Sequence, residues 1–153
     1  MIRINLTGSL LGVQAVSALM TDGGSIVNVG SLAALTGHYT AAYTISKWAV
    51  RGLSRVASLE LGARGIRVNT IHPGYIETPM TASAPDSFKQ ISIDEAPLGR
   101  LGSVDDIAPL VVFLISDESG FISGAEIPVD GGQSAHGGAK SLSDLLREGT
   151  APT

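Results

Sequence analysis

What most constrains the fold of this chain is an alternation: long apolar segments with helical spacing are separated by short β-branched runs that glycines bound. Leu6, Leu10, Val13, Val16 and Met20 recur at intervals of four, three, three and four, with Leu11, Ala15 and Leu19 beside them. That spacing predicts a mostly buried helix over 6–20, which Asp22-Gly23-Gly24 ends. The run SIVNVG, 25–30, reads as a strand covered on both faces, as in a parallel sheet. A second long helix is expected over 41–63, and its small residues Ala49, Gly52 and Ala57 suit close approach of another helix. Gly65 stops it, IRVNTI at 66–71 is a second strand, and Pro73-Gly74 turns the chain. Residues 79–102 contain Pro79, Pro85 and Pro97 and read as a long loop with one short helix, the kind of segment that often carries function. Ser103 and Asp106 form a capping-box pattern opening a helix through Leu114, with a bend expected at Pro109. AEIPVDGG, 125–132, is a last strand ending in glycines. Beyond it, 133–153 is expected to be a loosely held, flexible C-terminal tail with a short helix at 141–147.

Helix and strand in strict alternation imply an α/β fold with a doubly wound parallel sheet and right-handed crossovers. The pattern begins inside a helix, and these residues include neither a leading strand nor a Gly-rich phosphate loop. With 153 residues, 44% of them hydrophobic and 16% charged, the sequence fits one soluble globular domain. A net charge of −4 with no Lys/Arg cluster argues against nucleic-acid and anionic-membrane surfaces. No run of 18 apolar residues and no signal peptide is evident, and a cytoplasmic location is expected. The absence of cysteine excludes disulfides and thiolate metal sites, and His38, His72 and His136 lack metal-ligand spacing, so no metal is expected.

Within the second helix, YTISK places Tyr43 and Lys47 one turn apart on one face. Read locally, the pair is either chemistry or a solvated tyrosine beside a solvated lysine. Ser31 ends the first strand, where doubly wound sheets bind ligands, and is read either as a ligand-facing hydroxyl or as a loop cap. Asn5 stands near a helix start and is also readable as a cap. His72, before Pro73, reads as packing.

Six strings, NLTG (5–8), SIVNVGS (25–31), YTISKWAVRG (43–52), RVNTIHPGYIETPM (67–80), PLGRLGSVDDIA (97–108) and SGAEIPVDGG (123–132), together resemble the C-terminal part of the short-chain dehydrogenase/reductase family. The order and spacing match, and the flavour is nearest bacterial 3α,20β-hydroxysteroid dehydrogenase-like members. The resemblance implies a Rossmann-like domain over 1–132 and an NAD(P)-dependent oxidoreductase interconverting a secondary alcohol and a ketone, with steroid-like compounds among the candidate substrates. It implies Tyr43 as the acid/base, Lys47 favouring the phenolate and holding the nicotinamide ribose, Ser31 holding the substrate carbonyl, and Asn5 keeping a relay water behind Lys47. Pro73, Gly74, Ile76 and Thr78 resemble the loop that binds the carboxamide, while His38, Tyr39 and the segment 80–91 would line the substrate site. The sequence departs from the family where Gly30 replaces the first of a frequent serine pair, and where Tyr43 follows Ser31 by twelve positions instead of the usual thirteen.

The family's Gly-rich N-terminal half, with the residues that choose NAD or NADP, has no counterpart in these residues. Both cofactors therefore stay open, as do a fragment, a mis-started frame and a piece of a longer enzyme. The alternative to the enzyme reading is a non-catalytic fragment or assembly module. In family members the helices equivalent to 1–20 and 41–63 join subunits, so a homo-oligomer, dimer or tetramer, is expected.

Overall fold

The computed structural model describes residues 1–149; residues 150–153, the end of the expected tail, lie outside the described residues. A π-helical turn, Arg3–Thr7, leads into α1 (Gly8–Leu19), followed by β1 (Gly24–Val29), α2 (Ala41–Gly62) and β2 (Ile66–Pro73). Then come α3 (Asp86–Glu95), α4 (Val104–Ile115), β3 (Glu126–Val129) and α5 (Lys140–Gly149). The expected elements are present within one or two residues of their predicted bounds, except that the first helix opens with the π turn and the last strand ends at Val129, three residues short of 132 and before its glycines. A 3-10 turn at Leu32–Ala34 was not anticipated.

The sheet is parallel throughout in the order β1-β2-β3, with Ile26 opposite Val68 and Ile71 opposite Ile127. Alternation along β2 decides what lies on each face. Ile66 and Val68 join Ile26, Val13 of α1 and Ala57 of α2 in one core, with Met20, Leu53 and Leu61 packed on it. On the opposite face the Arg67 guanidinium donates to the carbonyls of Leu114 and Ser116 and to Ser119 Oγ, and Ser25 Oγ donates to Leu114 O, so the end of α4 is fastened under the sheet. Ala57 thus serves the intramolecular core and is not available for contact between copies, a correction to the expected role of that residue.

Two glycines set how closely helix and strand ends meet. Gly23 and Gly65 have φ values of 82° and 69°, and a Cβ on Gly23 would stand 3.0 Å from Gly65 O. Only glycine adopts that region without strain while leaving this room. At the start of α4, Ser103 and Asp106 form the capping box, and Asp106 also pairs with Arg100 at 2.7 Å. The helix continues through Pro109. Glu126, at the start of β3, accepts from Arg51 at 2.7 Å and Arg55 at 3.1 Å, and Arg51 also donates to Ala34 O; one carboxylate therefore ties α2 to β3.

Candidate active site

The carboxyl ends of the parallel strands open on one side of the sheet, where the chain leaves β1 for the 3-10 turn and β2 for the loop before α3. Ser31 follows β1 in extended conformation, and its Oγ accepts the Ala33 N–H at 3.2 Å. The cap reading of this serine is thus observed, and it occupies one lone pair only, which leaves the hydroxyl proton free to donate. Behind Ser31 lies His72, with no exposed surface, its Nδ1 3.3 Å from Ser31 N and 3.1 Å from Ser31 O. His72 Nε2 is buried without a partner. Burial pushes this imidazole below its ordinary pKa, against the raising effects of the Ser31 backbone and Glu126 and together with the nearby cations Arg51 and Lys47. A Cβ at Gly30 would lie 2.5 Å from His72 Nδ1, so the glycine that departs from the family's serine pair is where the ring seats.

Tyr43 lies in the first turn of α2, half-buried, and its hydroxyl has no protein partner. His38 meets its ring edge-on at 6.2 Å between centroids. Lys47 follows one turn later, with Nζ 5.8 Å from the centre of the Tyr43 ring and donating to Val29 O at 2.9 Å. Burial lowers the Lys47 pKa. Asn5 sits inside the π turn and makes no cap; its Nδ2 donates to Ser46 Oγ at 3.0 Å, and Ser46 in turn donates to Tyr43 O at 2.6 Å. Asn5 thus reaches the helix that carries Tyr43 through the buried Ser46, which sequence reasoning passed over as one more small helical residue.

Gly74 packs against β3, where its Cβ would be 2.9 Å from Asp130 Cα, and its N–H donates to Val129 O. Beyond it the turn is held by Thr81, whose Oγ1 donates to Ile76 O and accepts the Thr78 N–H, both at 2.9 Å, and lies 3.2 Å from Thr78 Oγ1. Ile76 N–H meets no protein acceptor. That free donor and the Thr78 hydroxyl are of the right kind for a carboxamide, which offers both an acceptor and a donor, and the half-buried ammonium of Lys47 fits a ribose diol. The nicotinamide end of a dinucleotide is thereby chemically matched.

A cavity of about 480 Å³ brings together Ser31, His38, Tyr39, Tyr43, Gly74 and Ile76, closed by Phe88 and Ile91 of α3. Lys47, Asn5 and Pro73 are not among the residues that line it, and Thr78 opens on a neighbouring depression with Pro79 and Lys89. Within 80–91, Thr81, Phe88 and Ile91 line this cavity, whereas Met80 is 90% exposed and does not. The polar wall residues Glu95 and Gln133 are among those that the sequence did not point to. The signal for Gln133 was the preceding Asp-Gly-Gly: Gly131 and Gly132 have positive φ, and the Asp130 carboxylate accepts the N–H groups of Gly132 and Ser134, so the chain reverses over α3. No group of three His, Asp or Glu able to hold a metal occurs among the described residues.

Residues 1–134 match the family model described as "Enoyl-(Acyl carrier protein) reductase". The chain is 46% identical over 136 residues to trans-4-hydroxycyclohexanecarboxylate dehydrogenase of Sinomonas cyclohexanicum, covering 88% of this chain and 51% of that protein. It is 46% identical over 132 residues to the 3-alpha-(or 20-beta)-hydroxysteroid dehydrogenase of Mycobacterium tuberculosis, covering 84% and 49%. Among solved structures, one assigned as a 2-deoxy-d-gluconate 3-dehydrogenase from Agrobacterium tumefaciens, with bound NADP, superposes with a TM-score of 0.82 at 35% identity, over 88% of this chain and 57% of that one. The chain spans about half the length of the curated relatives it matches.

Proposed function

Because the chain belongs to the short-chain dehydrogenase/reductase family, we propose that it carries the catalytic and substrate-facing part of an NAD(P)-dependent oxidoreductase interconverting a secondary alcohol and a ketone. Residues 1–132 are the body of that domain, and 133–153 form its C-terminal tail. The observation that supports this most is the shared cavity: the partner-free Tyr43 hydroxyl and the free donor of Ser31 line it with the Ile76 loop.

In this reading the nicotinamide, NAD or NADP, supplies or receives the hydride. Ser31 donates its hydroxyl proton in a hydrogen bond to the substrate carbonyl, its oxygen being fixed by the Ala33 N–H. Tyr43 gives its phenolic proton to the carbonyl oxygen in reduction and takes it back in oxidation. Lys47, an ammonium one turn away, favours the phenolate left behind and holds the ribose hydroxyls. Ile76 N–H and the Thr78 hydroxyl orient the carboxamide, with Pro73 and Gly74 setting the turn. Asn5 supports the site through Ser46 and the first turn of α2, and a relay water beside it would reload the proton.

A second reading, a non-catalytic assembly module, draws on the outer edge of β1, where Val29 is 54% exposed, and on the apolar residues Leu11, Leu19 and Leu59 left at the surface.

Tyr43→Phe and Lys47→Ala separate the readings. With the chain joined to a Gly-rich nucleotide-binding half from a relative, Tyr43→Phe is expected to lower ketone reduction by roughly 10²- to 10⁴-fold and leave NADH affinity nearly unchanged, since only the transferable proton is lost. Lys47→Ala should weaken both. Retention of more than about a tenth of the rate by Tyr43→Phe contradicts the acid assignment.

A further inference from the structure

Resting on the oxidoreductase reading, we propose that the site selects neutral substrates bearing a hydrogen-bond donor at the end remote from the reacting carbon, and disfavours carboxylates, through Glu95 and Gln133. Among the described walls of the cavity that holds Tyr43 and Ser31, Glu95 is the sole side chain with a formal charge. A second cavity of about 540 Å³ shares Leu32, Gly37, Ile91, Glu95 and Gln133 with it and continues toward α5. Its further charged walls are Asp94 and Lys140; the Lys140 ammonium is paired with Asp144, which Arg147 also approaches at 3.4 Å, so beyond Glu95 the charges nearly balance and Glu95 is the anion that faces the shared space.

The hydrogen bonds fix the chemistry of that end. Gln133 Nε2 donates to Glu95 Oε2 at 2.6 Å; a carboxylate only accepts, so the amide nitrogen must face it. Glu95 Oε1 and Gln133 Oε1 are left as acceptors without a protein donor. His136 Nε2 lies 2.8 Å from Glu95 O, and its Nδ1 accepts the Gly138 N–H. At the other side, His38 Nδ1 accepts the Thr40 N–H. Leu32, Phe88 and Ile91 share the cavity walls with Tyr43 and these acceptors, and suit an apolar body. A ligand with its carbonyl at Tyr43 therefore meets apolar walls and then two acceptors, one of them anionic. A hydroxyl or amide N–H satisfies them, whereas a carboxylate brings like charge and no donor.

The test uses two isosteric probes, 4-hydroxycyclohexanecarboxamide and 4-hydroxycyclohexanecarboxylate, titrated into the isotope-labelled chain at pH 8 and low salt, with the amide shifts of Tyr43, Ile91 and Gln133 followed by NMR. The carboxamide is expected to bind at least about threefold tighter, the scale of an exposed charge contact. The ratio should shrink at 0.5 M NaCl and approach one in Glu95→Gln. Gln133→Ala, which keeps the charge, should weaken the carboxamide while leaving the carboxylate disfavoured. The proposal is overturned if the carboxylate binds equally well or better, if Glu95→Gln leaves the ratio unchanged, or if neither probe moves the three amides. Binding is read without turnover, so an inactive Tyr43 would sink the oxidoreductase reading and leave this ratio standing.

Discussion

His72 shows how a single side chain acquires a pH signature from its surroundings. Its ring has no exposed surface, one nitrogen lies against Ser31, and burial holds its pKa below the ordinary value. Below about pH 6.5 the unfolded chain takes up a proton at this position that the folded chain refuses. The unfolded state then binds more protons, so stability rises with pH across that window and falls on acidification. Urea midpoints followed through Trp48 fluorescence should drop between pH 7.5 and 5.5, and the drop should be smaller in His72→Gln; an equal drop in both would place the proton elsewhere. Tyr43 and Lys47 were legible in the sequence because a spacing of four is a contact on a helix. His72 read as packing, because its relation to Ser31 spans 41 positions, and Glu95 was unreadable because its partner lies 38 positions on.

At the scale of elements, period and punctuation in the sequence located the helices and strands, since apolar recurrence and glycine stops are local properties. The faces of the helices were less legible. Ala49, Gly52 and Ala57 look alike as small residues on α2, yet Ala57 is buried against the sheet while Gly52 is exposed with nothing within 4 Å of where its Cβ would stand. Gly52→Leu therefore meets no clash inside the chain, and losing a mid-helix glycine should gain up to about 1 kcal/mol. If α2 joins copies of this chain, the same substitution should shift the protein to smaller species on sizing while its thermal midpoint holds or rises. An unchanged elution profile removes α2 from the interface. The outer edge of β1 is blunted only at its end, where Lys47 Nζ takes the Val29 carbonyl. Its remaining outward groups are the natural place for a further strand.

On the proposed reading, the whole molecule separates two tasks that hydride transfer requires. The side chains proposed for proton transfer and substrate placement, Tyr43 and Ser31, line one cavity, and the loop at Ile76 would offer groups for the nicotinamide end. Placement of a dinucleotide depends mainly on its pyrophosphate at a helix N-terminus after a Gly-rich turn, which these 153 residues do not contain. Without that anchoring little remains of the orientation that contributes up to roughly 7 to 11 kcal/mol in well-positioned reactions. The most direct measurement compares ketone-dependent NADH and NADPH oxidation by the 153-residue chain alone with that of the same chain joined to the Gly-rich half of a relative. The account predicts no turnover and no saturable micromolar cofactor binding by the chain alone, and turnover that depends on Tyr43 in the joined protein. A joined protein that binds cofactor with full affinity yet reduces no ketone, or reduces it equally well as Tyr43→Phe, would contradict it.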